Sequence, residues 1–166
     1  LLEKAMQAGA RRIELCDNLA VGGTTPSYGV TKAAVELASN YDTTIMTMIR
    51  PRGGDFVYNE LEISIMLEDI RLTAQAGSQG VVFGVLTADK KLDKANLEKL
   101  IAASKGMEIV FHMAFDDLSD QDQLEAIDWL SQAGVTRILT RAGVSGDSLE
   151  KRFAHYHRIL EHAAGK

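Results

Sequence analysis

Glu14, Cys16, Arg50, Arg52, His112 and Asp116 carry the side chains in this sequence best suited to chemistry, and each stands at or near the end of a strand-like run. The stretch Met48-Ile49-Arg50-Pro51-Arg52-Gly53-Gly54-Asp55 turns apolar β-sequence into charge and glycine within two residues. Arg50 and Arg52 offer planar forks that fit a carboxylate or phosphate. Pro51 denies the strand another ladder bond, and Gly53-Gly54 let backbone N–H groups turn toward an anion. Arg50, Arg52, Gly53, Gly54 and Asp55 therefore form a candidate anion-binding loop, set against the plainer reading of a surface turn with two solvated arginines. Glu14, His112 and Asp116 can serve as acid, base or orienting group, and a histidine near carboxylates can titrate near neutral pH. The structural alternatives are an imidazole hydrogen-bonded to Glu14 or Asp116, and a Glu14–Arg50 bridge across adjacent strands.

Composition removes several classes of function. With 166 residues, 46% hydrophobic content and two prolines, the chain can bury a real core and reads as one domain or part of one. A net charge of −5, with no run of five or more Lys/Arg, argues against nucleic acid as a partner. No apolar run reaches the roughly 18 residues of a membrane span, and no charged start followed by an apolar segment marks secretion. Cys16, the single cysteine, excludes a disulfide framework and fits a reducing cytoplasm. There is no P-loop, no His-Glu-x-x-His and no Cys-x-x-Cys. Of His155, His157 and His162, only the first and last share a helix face, which makes a poor metal cluster.

The elements that must position these residues alternate. Apolar spacing of 3.6 predicts helices at about Leu1–Ala8, Tyr28–Ser39, Glu60–Ala76, Asp93–Ser104, Asp120–Ala133 and Leu149–Ala164. Strand-like runs fall at Arg12–Cys16, Thr43–Ile49, Val81–Leu86, Glu108–Phe115 and Arg137–Thr140. Asn59 with Glu62, and Asp147 with Glu150, predict capped helix starts. A weak repeat strengthens the pattern: Gln7-Ala8-Gly9, Gln75-Ala76-Gly77 and Gln132-Ala133-Gly134 each close a helix just before a strand. Glycine there suits a left-handed C-cap feeding a parallel strand.

Repeated βα units fit an open doubly wound sheet or a (β/α)8 barrel. The strands are short and alike, and no glycine-rich dinucleotide fingerprint follows the first, so the barrel is expected. A complete barrel takes about 250 residues. Residues 1–166 thus read as a single partial TIM-type barrel, with five parallel strands and six helices, lacking the first strand and the last βα units. Leu1–Ala8 begins the chain inside a helix, in keeping with that. Barrel chemistry gathers at the C-terminal strand ends, where Glu14 and Cys16 share a face.

Arg12-Ile13-Glu14-Leu15-Cys16, Gly22-Gly23-Thr24-Thr25-Pro26-Ser27, Ile49-Arg50-Pro51-Arg52-Gly53-Gly54-Asp55-Phe56, Gly84-Val85-Leu86-Thr87, Phe111-His112-Met113-Ala114-Phe115-Asp116 and Arg137-Ile138-Leu139-Thr140 resemble, in this order, the CutC family of copper homeostasis proteins. The resemblance runs from end to end. It implies a cytoplasmic TIM barrel that handles intracellular copper as Cu(I), for which Cys16 is the candidate metal ligand; a homodimer is a separate expectation. It also implies a strand before Leu1, often with a second cysteine, and two more βα units after Lys166. Many members have Arg where Met113 stands, and a Ser-Gly or Gly-Gly pair in place of Arg141-Ala142, so no role carries over to those positions. Cu(I) takes two or three soft sulfur ligands. Cys16, with Met46 or Met48 at matching strand parity, would need His112, the absent strand or a second subunit to complete a site. The alternative is an enzyme acting on a small anionic carboxylate or phosphate metabolite through Glu14, Arg50 and His112.

Overall fold

The computed structural model describes residues 1–143 and 146–166. Strands β1 (Arg12–Leu15), β2 (Thr44–Met48), β3 (Gly80–Phe83), β4 (Glu108–Phe111) and β5 (Arg137–Ile138) lie side by side in sequence order, every neighbouring pair parallel. Helices α1 (Leu2–Gln7), α2 (Tyr28–Ala38), α3 (Glu60–Gln75), α4 (Lys94–Ala103), α5 (Asp120–Gln132) and α6 (Leu149–Ala163) complete the half-barrel. Among the described residues no helix is long and apolar enough to cross a membrane.

Local sequence explains the joints. Gly9, Gly77 and Gly134 have φ of 89°, 86° and 89°, the left-handed conformation their place after each helix predicts. Asn59 and Glu62 form a reciprocal capping box at the start of α3. At α6 the cap lies one residue later than the sequence suggests: Ser148, not Asp147, accepts the N–H of Lys151. Every strand stops short of its expected end, β1 and β2 by one residue, β5 at Ile138 by two, and β3 and β4 by more. β3 ends at Phe83, and Leu86 instead makes an isolated antiparallel bridge to Leu92. β4 ends at Phe111 because His112 caps a 3-10 turn, Met113–Asp117, that replaces the expected continuation to Phe115.

Strand alternation sorts the side chains onto two faces. Val81, Phe83, Ile109 and Phe111 pack with the buried faces of α3, α4 and α5 in the main core. Met46, Met48, Val82 and Val110 form a separate buried cluster, with Cys16 against it. On the same parity, Arg12 reaches from β1 to Glu108 on β4 with a 2.9 Å ion pair, and Arg137 approaches that carboxylate at 3.8 Å. These charges lie near the N-terminal strand ends; Glu14, Arg50 and His112 lie toward the opposite end.

Candidate active site at the strand ends

Arg50 follows β2 and is buried. Its Nη1 donates to the carbonyls of Val21 (2.8 Å) and Gly23 (3.0 Å), and its Nη2 donates to that of Gly54 (2.8 Å). One guanidinium thus joins the loop after β1 to the loop after β2. The backbone repeats the tie: Arg50 N–H donates to Thr25 Oγ1, and Thr25 N–H donates to the Arg50 carbonyl, each at 2.9 Å. Of five guanidinium N–H donors, these bonds use three, and Nε has no partner. Among the described residues no carboxylate lies within 4.0 Å of this cation, so the expected Glu14–Arg50 bridge does not form. Burial raises the pKa of Tyr58, and the nearby Arg50 charge opposes that rise. The two groups are close without a well-formed hydrogen bond, since the Tyr58 hydroxyl also lacks a partner.

His112 follows β4 and is likewise buried. Its Nδ1 accepts the Ala114 N–H at 3.1 Å, so the neutral ring carries its proton on Nε2, and that atom has no partner. Neither Glu14 nor Asp116 bonds to it, in contrast to the structural alternative. Burial, followed by the Arg50 charge, lowers its pKa to about 3. His112 is therefore a neutral N–H donor at physiological pH, not a group titrating near 7. The Phe56 ring lies 4.8 Å from the imidazole, and the Arg50 guanidinium carbon lies 5.0 Å from the same ring.

Glu14 is open to solvent across the concave face, yet protein crowds its carboxyl enough for desolvation to raise its pKa above the usual range. Its Oε1 accepts the Cys16 thiol at 3.6 Å, a bond that partly offsets the rise. Burial, helped by the Glu14 charge and this hydrogen bond, pushes the Cys16 thiol up to about 12. A Cβ on Gly23 would stand 3.1 Å from Cys16 Sγ and 3.6 Å from Met48 Cε, so glycine lets the loop close over both sulfur side chains.

The remaining candidates lie apart from this group. Arg52 Nε donates to Glu62 Oε1 at 2.5 Å, Nη1 donates to Asp55 Oδ1 at 3.0 Å, and Nη2 donates to the Val57 carbonyl at 2.7 Å. Arg52 and Asp55 thus pin their own loop to the start of α3. Gly53 and Gly54 belong to that loop, where the Gly54 carbonyl receives Arg50. Asp116 is buried; it accepts from Thr140 Oγ1 at 2.5 Å and from the backbone N and Nε of Arg141 at 3.0 and 3.2 Å. It holds the end of β5 and borders a different cavity.

Glu14, Arg50 and His112, far apart in sequence, line one cavity of about 180 Å3. Met48, Phe56 and Leu139 supply apolar wall, and Asp117 and Arg141 also border it. Sequence reasoning did not single out Phe56, although it stands in the same motif as Arg50. The wall therefore combines a buried cation, a neutral N–H donor and a carboxyl of raised pKa. Among the described residues no group of three or more His, Cys, Asp and Glu is arranged to hold a metal ion.

The family model for CutC matches residues 1–166. The chain belongs to the CutC family. The CutC family protein of Enterococcus faecalis is 49% identical over 162 residues, which covers 98% of this chain and 78% of that protein. The chain covers 62% of the Streptococcus pyogenes CutC family protein. The crystal structure of CutC from Streptococcus agalactiae, a protein named for copper homeostasis, is 43% identical and superposes with a TM-score of 0.94 over 99% of this chain and 78% of that one. An archaeal fructose 1,6-bisphosphate aldolase at 16% identity gives a TM-score of 0.63, which speaks for the barrel fold alone.

Proposed function

We propose that this CutC-family chain is an enzyme for a small anionic metabolite, bound in the cavity between Glu14, Arg50 and His112. One observation carries the reading: among the described residues Arg50 is buried without a carboxylate partner, and the Arg50 Nε and His112 Nε2 donors are unpartnered in residues lining the same cavity. Unsatisfied buried donors are costly, and an anion accepting from them would supply both acceptor and counter-charge. Glu14 is the acid or base. Asp116, read from sequence as a third catalytic group, acts in this account by holding Arg141. The test is thermal unfolding of the full-length chain with a panel of short carboxylates, inorganic phosphate and sugar phosphates. Members of the panel raise the melting temperature of the wild type, and the gain disappears in His112→Phe. A panel that shifts nothing sinks the reading.

A second reading, Cu(I) carried as cargo, is favoured by the meeting of Cys16 and Met48 beneath Gly23. Thiolate and thioether are the soft donors Cu(I) selects. Two sulfurs make a minimal donor set, and a thiol pushed up to about 12 makes protons strong competitors for it. Anaerobic Cu(I) titration of the full-length chain tests the reading: one site is expected, lost in Cys16→Ser and weakened in Met48→Leu. Unchanged stoichiometry in both variants removes these residues from copper handling. The expectations of a cytoplasmic location and a homodimer belong with this reading, and sedimentation of the full-length chain tests the dimer.

A further inference from the structure

Arg50 and His112 line one cavity and hold unpartnered donors of different kinds, Nε and Nε2, both buried at its wall. Arg50 brings a full positive charge that no carboxylate matches among the described residues, whereas Arg141 is paired with Asp116 at 3.2 Å. The other acids on the wall, Glu14 and Asp117, are both exposed, and neither pairs with Arg50. A buried guanidinium without a carboxylate partner favours a ligand that brings one. His112 brings an uncharged Nε2–H, fixed in that tautomer by the Ala114 N–H on Nδ1. A neutral donor suits an uncharged acceptor such as a carbonyl oxygen. The smallest ligand that joins a carboxylate, an adjacent carbonyl oxygen and a neighbouring C–H is a three-carbon acid, and the cavity, of about 180 Å3, is partly open to solvent.

We infer that the substrate is a 2-oxo monocarboxylate, and that the reaction proceeds by proton transfer at its C3 carbon. The inference rests on the anion-site reading and adds to it the ligand class and the chemical step. The carboxylate accepts from Arg50, and the C2 carbonyl oxygen accepts from His112 Nε2–H. Ionised Glu14 removes a proton from C3. The C3–H bond pair becomes the C2=C3 double bond, and the carbonyl π pair moves onto oxygen, giving an enolate held by the imidazole N–H. Return of the proton from Glu14 restores the ketone, so nothing is oxidised or reduced. The direction of each pKa shift serves this step. A raised Glu14 pKa makes its carboxylate a stronger base, and a lowered His112 pKa keeps the imidazole neutral while it stabilises developing negative charge.

Phe56 lies against both donors and lines the cavity, so its ring position governs access to them.

Pyruvate and propionate separate the inference from the reading beneath it, because they share size and charge and differ in the C2 oxygen. Binding of each to the full-length chain is measured by calorimetry. Hydrogen exchange at pyruvate C3 is followed by proton NMR in D2O with a chelator present. Pyruvate is expected to bind at least tenfold more tightly than propionate. Its methyl signal is expected to decay at least tenfold faster with wild type than with Glu14→Gln, whose near-isosteric change at a solvent-open position leaves the fold intact. Equal binding of the two acids overturns the C2 contact while leaving the anion site standing. Tighter pyruvate binding with exchange no faster than in buffer overturns the proton transfer. Binding of neither acid overturns the 2-oxo acid assignment, and the wider carboxylate and phosphate panel then decides the anion site on its own.

Discussion

A methyl group added to Gly84 would stand 2.6 Å from both Nδ1 and Cε1 of His112. Phe56 flanks the imidazole and the Ala114 N–H holds its Nδ1, so the ring is braced on its other sides. The position one residue past β3 thus fixes where the histidine after β4 can stand, and two adjacent strand ends become one device. Gly84→Ala should force the ring aside and cost about 1–3 kcal/mol, as overpacking of a tight core does. Urea unfolding measures the cost. The same variant should lose the anion-induced gain in melting temperature, because Nε2 no longer sits beside the cavity.

The His112 pKa of about 3 makes a pH prediction with a definite sign. The unfolded imidazole titrates near 6.5, whereas the folded one resists protonation until far lower pH. Between those values the unfolded state binds the extra proton, so the contribution of His112 is intact above about 6.5 and is lost as pH falls toward 3. The slope is on the order of 1 kcal/mol per pH unit in that window. Stability of wild type and His112→Phe, compared from pH 7 to pH 4, should show the wild type losing more. Nitrogen chemical shifts of His112 should stay those of the neutral Nε2–H tautomer down to pH 5. A titration midpoint near 6.5 would remove the neutral donor from the mechanism.

Arg50→Lys tests whether the loops depend on a fork or only on charge. An ammonium cannot reproduce three bonds to the Val21, Gly23 and Gly54 carbonyls from a planar frame. Each carbonyl left without a partner costs about 1–3 kcal/mol if it stays buried. The variant should be less stable by at least that much. Amide exchange should rise in residues 21–25 and 53–56, while α4 and α5 keep their protection. Uniform loss of protection across the chain would show that Arg50 holds the whole fold, not these loops.

Much of this architecture is legible in the residues. The three Gln-Ala-Gly repeats mark helix ends whose glycines have positive φ, and the apolar periods place all five strands between the helices. Strand parity places Glu14, Arg50 and His112 toward one mouth. What the sequence hides is competition for donors. Arg50 and Arg52 look equivalent two residues apart, yet the loop folds Arg52 back onto Glu62, a residue legible only as half of a capping box. Asp116 looks like part of the His112 motif, yet its partners Thr140 and Arg141 lie 24 and 25 residues away on the next unit. The early end of β4 was hidden for a related reason: the His112 side chain bonds its own backbone at Ala114, and residue propensity along an apolar run does not report such a bond.

Cys16 offers the last test, because its thiol sits beside a carboxylate and not beside a cation. Burial comes first among the causes that push it up to about 12, with the Glu14 charge and hydrogen bond adding to it. Against an ordinary thiol at 9.0, the thiolate fraction at neutral pH falls on the order of a thousandfold, and alkylation, which proceeds through thiolate, should slow accordingly. Removing the neighbouring charge should relieve part of the shift. Glu14→Gln is therefore expected to speed iodoacetamide labelling of Cys16 at pH 8, and unfolding in urea should speed it much further. The pH at which the native rate reaches half its maximum should move down in Glu14→Gln. If wild type labels as fast as free cysteine, the thiol is ionised far more readily than its surroundings dictate. Proton competition would then no longer weigh against copper at this residue.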